Sequence, residues 1–461
     1  MMLPPRLLFR GVLFFSLFLQ LSFFAGIIPD VGAAIISSMP VISVMQEKVR
    51  ISPEHRSSDI TFEVPADTLL NPVAKGILTS EKLSDISGDK VVRVGCLLPL
   101  SGPYADYGQR FLQGMEMALE VYPGKEPHPE KKIKLLVRDT QGMADAVIPL
   151  VHELIDVEQV NLLIGPVVGQ VSRWAAKEAS ALHIPIITLT SQPDIAAMGG
   201  LVFQHFITAR NQAEELVRFM AGNLDGRQPV ILYPDTLFGR VFSDSFAALA
   251  FRAGLTVVKK VEYQATATDF GLVIKNIIGD QVETNEKKYT VQAEENRGFL
   301  KNRMVLVLPG SRRRLKVLLP QLAHYGLENI LIFGSRGWND LLCDDDTSLR
   351  GLDRVFFVDA FSASAEGMPT PLVQYRKRYE QQFEKKASLY DAYGYDTVML
   401  IKQVVGRLSG WPVGGEQLAA AIQTLPEMEM VTGITNLRPD GEIEKRLYRF
   451  MAEKDSVAIY P

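Results

Sequence analysis

Val91-Val-Arg-Val-Gly-Cys-Leu-Leu-Pro-Leu-Ser-Gly-Pro-Tyr-Ala-Asp-Tyr-Gly-Gln109 is an apolar run that ends in a small, polar loop containing Gly and Pro. An amphipathic segment follows, with Phe111, Leu112, Met115, Met117, Ala118 and Leu119 dominated by helical spacing. This is the pattern of a buried parallel strand feeding a helix. The loop lies at the strand's carboxyl end, where ligands sit in open α/β sheets.

The same rhythm continues downstream. Residues 132–138, 161–166 and 184–190 read as strands, with helices over 145–158 and 170–183 between them. A second series follows: helices at 212–223, 241–253, 270–278 and 315–325, and strands at 229–233, 255–263, 304–308 and 329–333. Short strands alternating with helices favour parallel sheets covered on both faces, with right-handed crossovers. Residues 281–302 are polar and aperiodic and read as a surface insertion, which costs little in loop closure. A polar helix over 372–385, a more apolar one opening at 390–400 and a strand-like 447–451 complete the pattern.

At 461 residues the chain is too long for one ordinary core and suits two lobes. A hydrophobic fraction of 47% with 22% charged residues is ordinary for a globular protein, and a net charge of −4 gives no reason to expect a nucleic-acid partner. The amino terminus stands apart. Arg6 and Arg10 precede an apolar run over 11–28, then Pro29 and the small residues Val31-Gly32-Ala33-Ala34. This order predicts a signal peptide over 1–33 and export to the periplasm, with an uncleaved anchor as the alternative. Residues 34–90 are polar and weakly periodic and read as a leader or linker.

The two cysteines, Cys96 and Cys343, suggest no zinc site, and whether they pair is left open by sequence. The Gly165–Gly169 loop lacks the Walker lysine and the full dinucleotide pattern, and the six histidines form no HExxH. Asp344–Asp346 lacks calcium-loop spacing, and Arg312–Arg314 reads as a solvated face. Ser172 has no nucleophile-elbow context. No enzyme activity, metal or cofactor is expected.

From Val91 onward the chain resembles the type I periplasmic binding proteins, the family of leucine/isoleucine/valine-binding proteins. The resemblance rests on Leu100-Ser-Gly-Pro103, Ile164-Gly-Pro166, Ile184-Pro-Ile-Ile187, residues 390–396, and Thr432-Gly433 with Asp440-Gly441, in the family's order. It implies two Rossmann-like α/β lobes with parallel sheets, joined by a three-crossing hinge. Lobe 1 would comprise 91–208 plus 362–436, and lobe 2 would comprise 209–361 plus 437–461. It also implies a small, amino-acid-like or peptidic ligand captured between the lobes for the membrane permease of an ABC transporter.

In such proteins hydroxyls and backbone amides on two loops hold a ligand carboxylate. Here those loops match 168–172 and 188–193, which places Gln170, Ser172, Thr190 and Ser191 in the site together with Ser101 and Tyr104 of the opening loop. Helix capping or turn roles are the alternative for the Ser and Thr residues. Phe238 matches a ligand-packing aromatic, for which a core role is the alternative. The 333–338 loop, with Arg336 and Trp338, matches the place where amino-acid binders set an acid against the ligand ammonium. Arg336 in that place disfavours an ammonium and suits an anionic ligand, unless it is salt-bridged within its own loop. Residues 320–325 with 334–339 also look like the branch that activates penicillin-binding proteins, which implies as an alternative an envelope adaptor contacting a peptidoglycan synthase.

Overall fold

The computed structural model describes residues 91–121, 133–222, 224, 226–278, 303–327, 330–342, 355–408, 413–453 and 456–461. The signal segment, the leader, the insertion at 281–302 and Cys343 lie outside the described residues.

The first sheet holds β1 (Val92–Leu98), β2 (Ile133–Asp139), β3 (Leu162–Ile164), β4 (Ile186–Thr188) and β5 (Val202–Gln204) in the order β2-β1-β3-β4-β5, with every pairing parallel. Alternation in β1 divides its side chains between two cores. Val92, Val94, Cys96 and Leu98 meet α1 (Ala105–Leu119) and α10 (Leu389–Arg407). Leu97 joins Val147, Val151, Val171 and Ala175 of α2 (Ala144–His152) and α3 (Gly169–Ala181) on the other face. Each large side chain buried this way stabilises the fold by about 1.5–3 kcal/mol relative to exposure. Cys96 is a fully buried free thiol, pushed up to about 12 by that burial, and so acts as a small hydrophobe.

The second sheet holds β6 (Gln228–Pro234), β7 (Lys259–Tyr263), β8 (Met304–Leu308), β9 (Ile332–Gly334) and β10 (Val355–Asp359). Its order is β15-β14-β10-β9-β8-β6-β7, with β14 (Tyr448–Glu453) and β15 (Ser456–Tyr460) antiparallel at one edge. Its helices are α4 (Ala209–Met220), α5 (Leu237–Arg252), α6 (Gly271–Ile278), α7 (Arg312–His324) and the one-turn α8 (Gly337–Leu342). After β10 come α9 (Thr370–Phe383), α10 and α11 (Gly415–Gln423), then the small antiparallel sheet of β11 (Met428–Met430), β12 (Gly433–Leu437) and β13 (Ile443–Arg446).

Among the described residues the chain therefore passes between the two main sheets three times: after β5, after β10 and between β13 and β14. The passages are tied by buried polar groups. The Thr208 hydroxyl donates to Glu442 Oε1 at 2.8 Å, Gln204 N donates to Gly441 O at 3.1 Å, and His205 Nδ1 lies 2.8 Å from Thr397 Oγ1. No helix among the described residues is long and apolar enough to cross a membrane.

Several sequence expectations need correction. The helix expected over 145–158 ends as α2 at His152 and continues as a π-turn over Glu153–Val157. The strand expected at 255–263 begins at Lys259, and that at 184–190 is reduced to Ile186–Thr188. β10, α8, α11 and the β11–β13 sheet had no counterpart in the sequence reading. β10 (VFFVD) and β5 (VFQ) are short all-buried runs, whose pattern shows no period.

Candidate functional site

The loops at the carboxyl ends of β1, β3 and β4 carry most of the expected residues. Asp139, the last residue of β2, organises the first loop: it accepts from Leu100 N at 2.8 Å, Gln141 N at 2.8 Å and the Ser101 hydroxyl at 2.6 Å. Burial opposes the charge on Asp139, but these hydrogen bonds outweigh it and hold the carboxyl below its usual range. Tyr104 precedes α1, 41% exposed, with its ring over Gly142, while Tyr107 is 38% exposed one turn on. Neither Asp139 nor Tyr107 carried a sequence signal beyond its place after a strand.

Gln170 is exposed in the first turn of α3, whose N-cap Val168 offers no side-chain bond to the leading amides. Ser191 is exposed on the neighbouring loop. The Gln192 side chain lies against Gly169, and Gln204 Nε2 pins this loop through Thr190 O at 2.6 Å and Gln192 O at 2.7 Å. Thr190 is buried, its hydroxyl oxygen accepting from Gln192 N at 3.2 Å, which makes it a turn residue.

Besides Thr190, two further expected residues are buried, Ser172 and Trp338. Ser172 is fully buried, and its hydroxyl lies at hydrogen-bonding distance from Pro166 O (2.9 Å) and Val168 O (3.0 Å). This is the back-bonding available to a serine in a first helical turn. Ser172→Ala is accordingly expected to cost about 1 kcal/mol of stability in urea unfolding and to leave solute affinity unchanged. Trp338 is fully buried in the core, its Nε1 donating to Leu308 O at 3.1 Å. Phe238 is half-buried with its ring 6.0 Å from Phe242, while its neighbour Leu237 is 48% exposed.

Arg336 lies where the second lobe meets the first. Its backbone N donates to Gln212 Oε1 at 3.0 Å, and its side chain reaches Tyr390, at the start of α10. The guanidinium is not free: Nη2 donates to Asp340 Oδ1 at 3.1 Å, and Nε lies 3.8 Å from Asp359 Oδ1. Burial works against its charge, but Asp340, Asp359 and Tyr390 outweigh burial and push its pKa up. The internal salt bridge left open by the sequence is thus present, and it weakens the argument that Arg336 repels an ammonium. Tyr390 meets Tyr107 edge-on at 4.7 Å and stacks on Phe206 at 6.0 Å, forming an aromatic wall beside Arg336. Among the described residues no group of His, Cys, Asp and Glu is arranged to hold a metal.

A family model described as periplasmic binding protein matches residues 91–456. The Leu/Ile/Val-binding protein homolog 3 of Brucella melitensis is 22% identical over 188 residues, 40% of this chain and 51% of that protein. The chain's match thus spans about half the length of such curated relatives. Among solved structures, one from Rhodospirillum rubrum described as a branched-chain amino acid ABC transporter superposes with a TM-score of 0.67 at 20% identity, covering 80% of this chain and 100% of that one. The branched-chain amino acid transporter substrate-binding protein LivJ of Streptococcus pneumoniae, solved with isoleucine, gives 0.56 at 17% identity, covering 80% and 99%. At such identities the superpositions speak for the fold, and the family match spans most of the chain. One parallel sheet and one mainly parallel sheet linked by three passages, with loops at strand carboxyl ends, agree with it: the chain belongs to the periplasmic binding protein family.

Proposed function

We propose that this chain is an exported, non-enzymatic solute-binding protein that captures a small carboxylate-bearing ligand, amino-acid-like or peptidic, and delivers it to the permease of an ABC transporter. The lobes would be 91–208 with 362–436, and 209–361 with 437–461, closing over the ligand. The observation that carries the reading is the loop set of the first sheet. Ser101, Tyr104, Gln170 and Ser191 are exposed at the carboxyl ends of β1, β3 and β4, where Asp139 holds the first loop and Gln204 the third by hydrogen bonds. Preorganised loops of this kind lower the ordering cost of binding. The uncapped first turn of α3 suits the ligand's carboxylate through its backbone amides. No observation on the fold favours the envelope-adaptor alternative.

Calorimetry of the purified chain against amino acids, di- and tripeptides and aromatic carboxylates tests this. Saturable binding in the micromolar range or tighter is expected, equivalent to about −8 kcal/mol at 1 µM. Gly169→Val should abolish it by at least tenfold while the fold stands. The added Cβ would lie 2.6 Å from Gln192 Oε1 and 3.1 Å from Gln192 Cβ, so the Gln192 side chain must give way, and the valine would then cover the α3 amides. Silence toward every solute, with capture of a peptidoglycan synthase, would overturn the reading.

A further inference from the structure

Buried hydrogen bonds run from the loop after β4 to the loop after β9, through the passages between the two main sheets. Gln204 Nε2 holds the first of these loops, donating to Thr190 O at 2.6 Å and Gln192 O at 2.7 Å. The backbone N of Gln204 donates to Gly441 O at 3.1 Å, in the turn between β12 and β13. The next residue of that turn, Glu442, accepts from the Thr208 hydroxyl at 2.8 Å, at the start of α4. Thr208 O accepts from Gln212 Nε2 at 3.0 Å, and Gln212 Oε1 accepts from Arg336 N at 3.0 Å. Gln204, Thr208, Gln212 and Glu442 are each at most 6% exposed, so water offers no ready replacement for these bonds.

The turn is shaped for this junction. A Cβ on Gly441, whose φ is 87°, would lie 2.7 Å from Val202 O, so glycine lets the turn rest on β5 at the edge of the first sheet. On its other side Asp440 and Arg438 reach Arg210 (3.7 Å) and Glu214 (3.3 Å) of α4. Every link in the path is an amide, a carbonyl or a hydroxyl except Glu442, whose carboxylate can gain or lose a charge. Asn211 N donates to the Thr208 hydroxyl oxygen at 3.1 Å, which leaves the hydroxyl proton for Glu442. An ionised carboxylate is the stronger acceptor for it. Burial raises the pKa of Glu442, while the Thr208 hydrogen bond and the charge of Arg438 oppose the rise. The groups facing it are Thr208 and Arg210 of α4, Arg438 and Asp440 of its own turn, and Tyr393 of α10.

We propose that Glu442 is a positioning residue for solute capture: its ionised carboxylate keeps this path intact and so fixes the loops after β4 and β9 relative to each other. The proposal rests on the cleft reading above and names what couples the two walls. Protonation of Glu442 weakens its hold on Thr208, and the two loops lose their common anchor. Because burial favours the neutral form, protonation begins above the ordinary glutamate range, and affinity falls as the pH is lowered from about 7.5 toward about 5. Stability takes the opposite sign. The folded chain keeps its proton at Glu442 to a higher pH than the unfolded chain does, so this group makes stability fall as pH rises through that interval. Glu442→Gln, which mimics the neutral form, should therefore melt no lower than the wild type while binding solute more weakly. A residue with only a structural role would lower both.

The test is hydrogen exchange of the full chain without solute, at about pH 7.5, for the wild type, Glu442→Gln, Thr208→Val and Thr208→Ser. Glu442→Gln and Thr208→Val are expected to speed exchange about threefold or more in both 188–193 and 333–338, leaving 147–151 of α2 unchanged. Thr208→Ser, which keeps the hydroxyl, should rescue the protection. Calorimetry with L-leucine, L-phenylalanine and 3-phenylpropanoate measures the consequence for binding. For whichever probe binds, the wild type should exceed Glu442→Gln in affinity by about fivefold at about pH 7.5, and the ratio should shrink toward one at about pH 5. Exchange changes confined to 204–212 and 438–444, or an affinity ratio that does not move with pH, would overturn the role of Glu442 and leave solute capture standing. Heat from none of the three probes would count against the cleft reading, and the exchange pattern would still decide the role of Glu442.

Discussion

Lys445→Met is expected to destabilise the folded chain by about 3–5 kcal/mol, because it leaves Asp396 buried without the cation beside it. Both side chains of this pair are only 1% exposed, with Lys445 Nζ 3.3 Å from Asp396 Oδ2. Asp396, on α10, accepts from Val431 N, Thr432 N and the Thr432 hydroxyl, so its position is fixed and it cannot turn to solvent. Lys445, on β13, donates to Thr435 Oγ1 at 2.6 Å and lies 5.5 Å from the Tyr393 ring centre. Burial lowers the lysine's pKa, with Asp396 opposing. The double variant Asp396→Asn with Lys445→Met should recover most of the loss, since two neutral side chains need no mutual compensation. Urea midpoints of the two single variants and the double variant measure the coupling. An additive double variant would show the pair to be uncoupled. The pair ties α10 to the strand that leads into the third passage between lobes, so the single variants should also weaken solute capture.

How much of this could be read in advance follows from the kind of signal each residue leaves. β1, α1 and the repeated strand–helix rhythm were legible because burial imposes a period of two or of 3.6 on the side chains. β5, β10 and the β11–β13 sheet were not, since three- to five-residue strands are too short to show a period. The loops of the site were legible in place but not in role. Ser101, Gln170 and Ser191 are exposed, whereas Ser172 and Trp338 are taken up by backbone hydrogen bonds and core packing. Nothing in a linear sequence separates a serine facing a ligand from one bonded to its own helix. Asp139, Gln204 and Asp359 leave no sequence signal of their role for a related reason, and Tyr390 shows only as part of the 390–396 pattern. Each acts through partners 14 to 60 or more residues away, or across the seam between lobes, and only the fold brings them together. Arg336 was conspicuous as a departure from a family pattern, yet its meaning changed once two carboxylates were found beside it.

Gly394→Ala and Gly406→Ala lie in the same helix, α10, and should move stability in opposite directions. At Gly406 an added Cβ meets nothing within 4 Å, so alanine removes only the entropic penalty of a helical glycine and should stabilise by roughly 0.5–1 kcal/mol. At Gly394 the same atom would lie 2.2 Å from Phe111 O, and at the reciprocal Gly114 on α1 it would lie 1.9 Å from Asp391 O. Those contacts are with helical backbone, which cannot rotate away as a side-chain end can. Asp391 is held further by its capping box, its Oδ2 accepting from Ser388 N at 2.7 Å, and by the Tyr375 hydroxyl at 2.8 Å. The helices must separate, loosening Phe111, Leu112, Met115, Val398 and Ile401 in the shared core. A loss of about 3 kcal/mol or more is expected for Gly394→Ala or Gly114→Ala, or roughly 10 °C in melting temperature at about 2–4 °C per kcal/mol. Calorimetric melting of the three variants decides it. The effect extends to the site, because α1 begins at the loop bearing Ser101, Tyr104 and Tyr107, and α10 begins at Tyr390. Close approach of these two helices sets the aromatic wall against Arg336. Gly394→Ala should therefore weaken solute binding even at temperatures where the fold persists, whereas Gly406→Ala should leave binding unchanged.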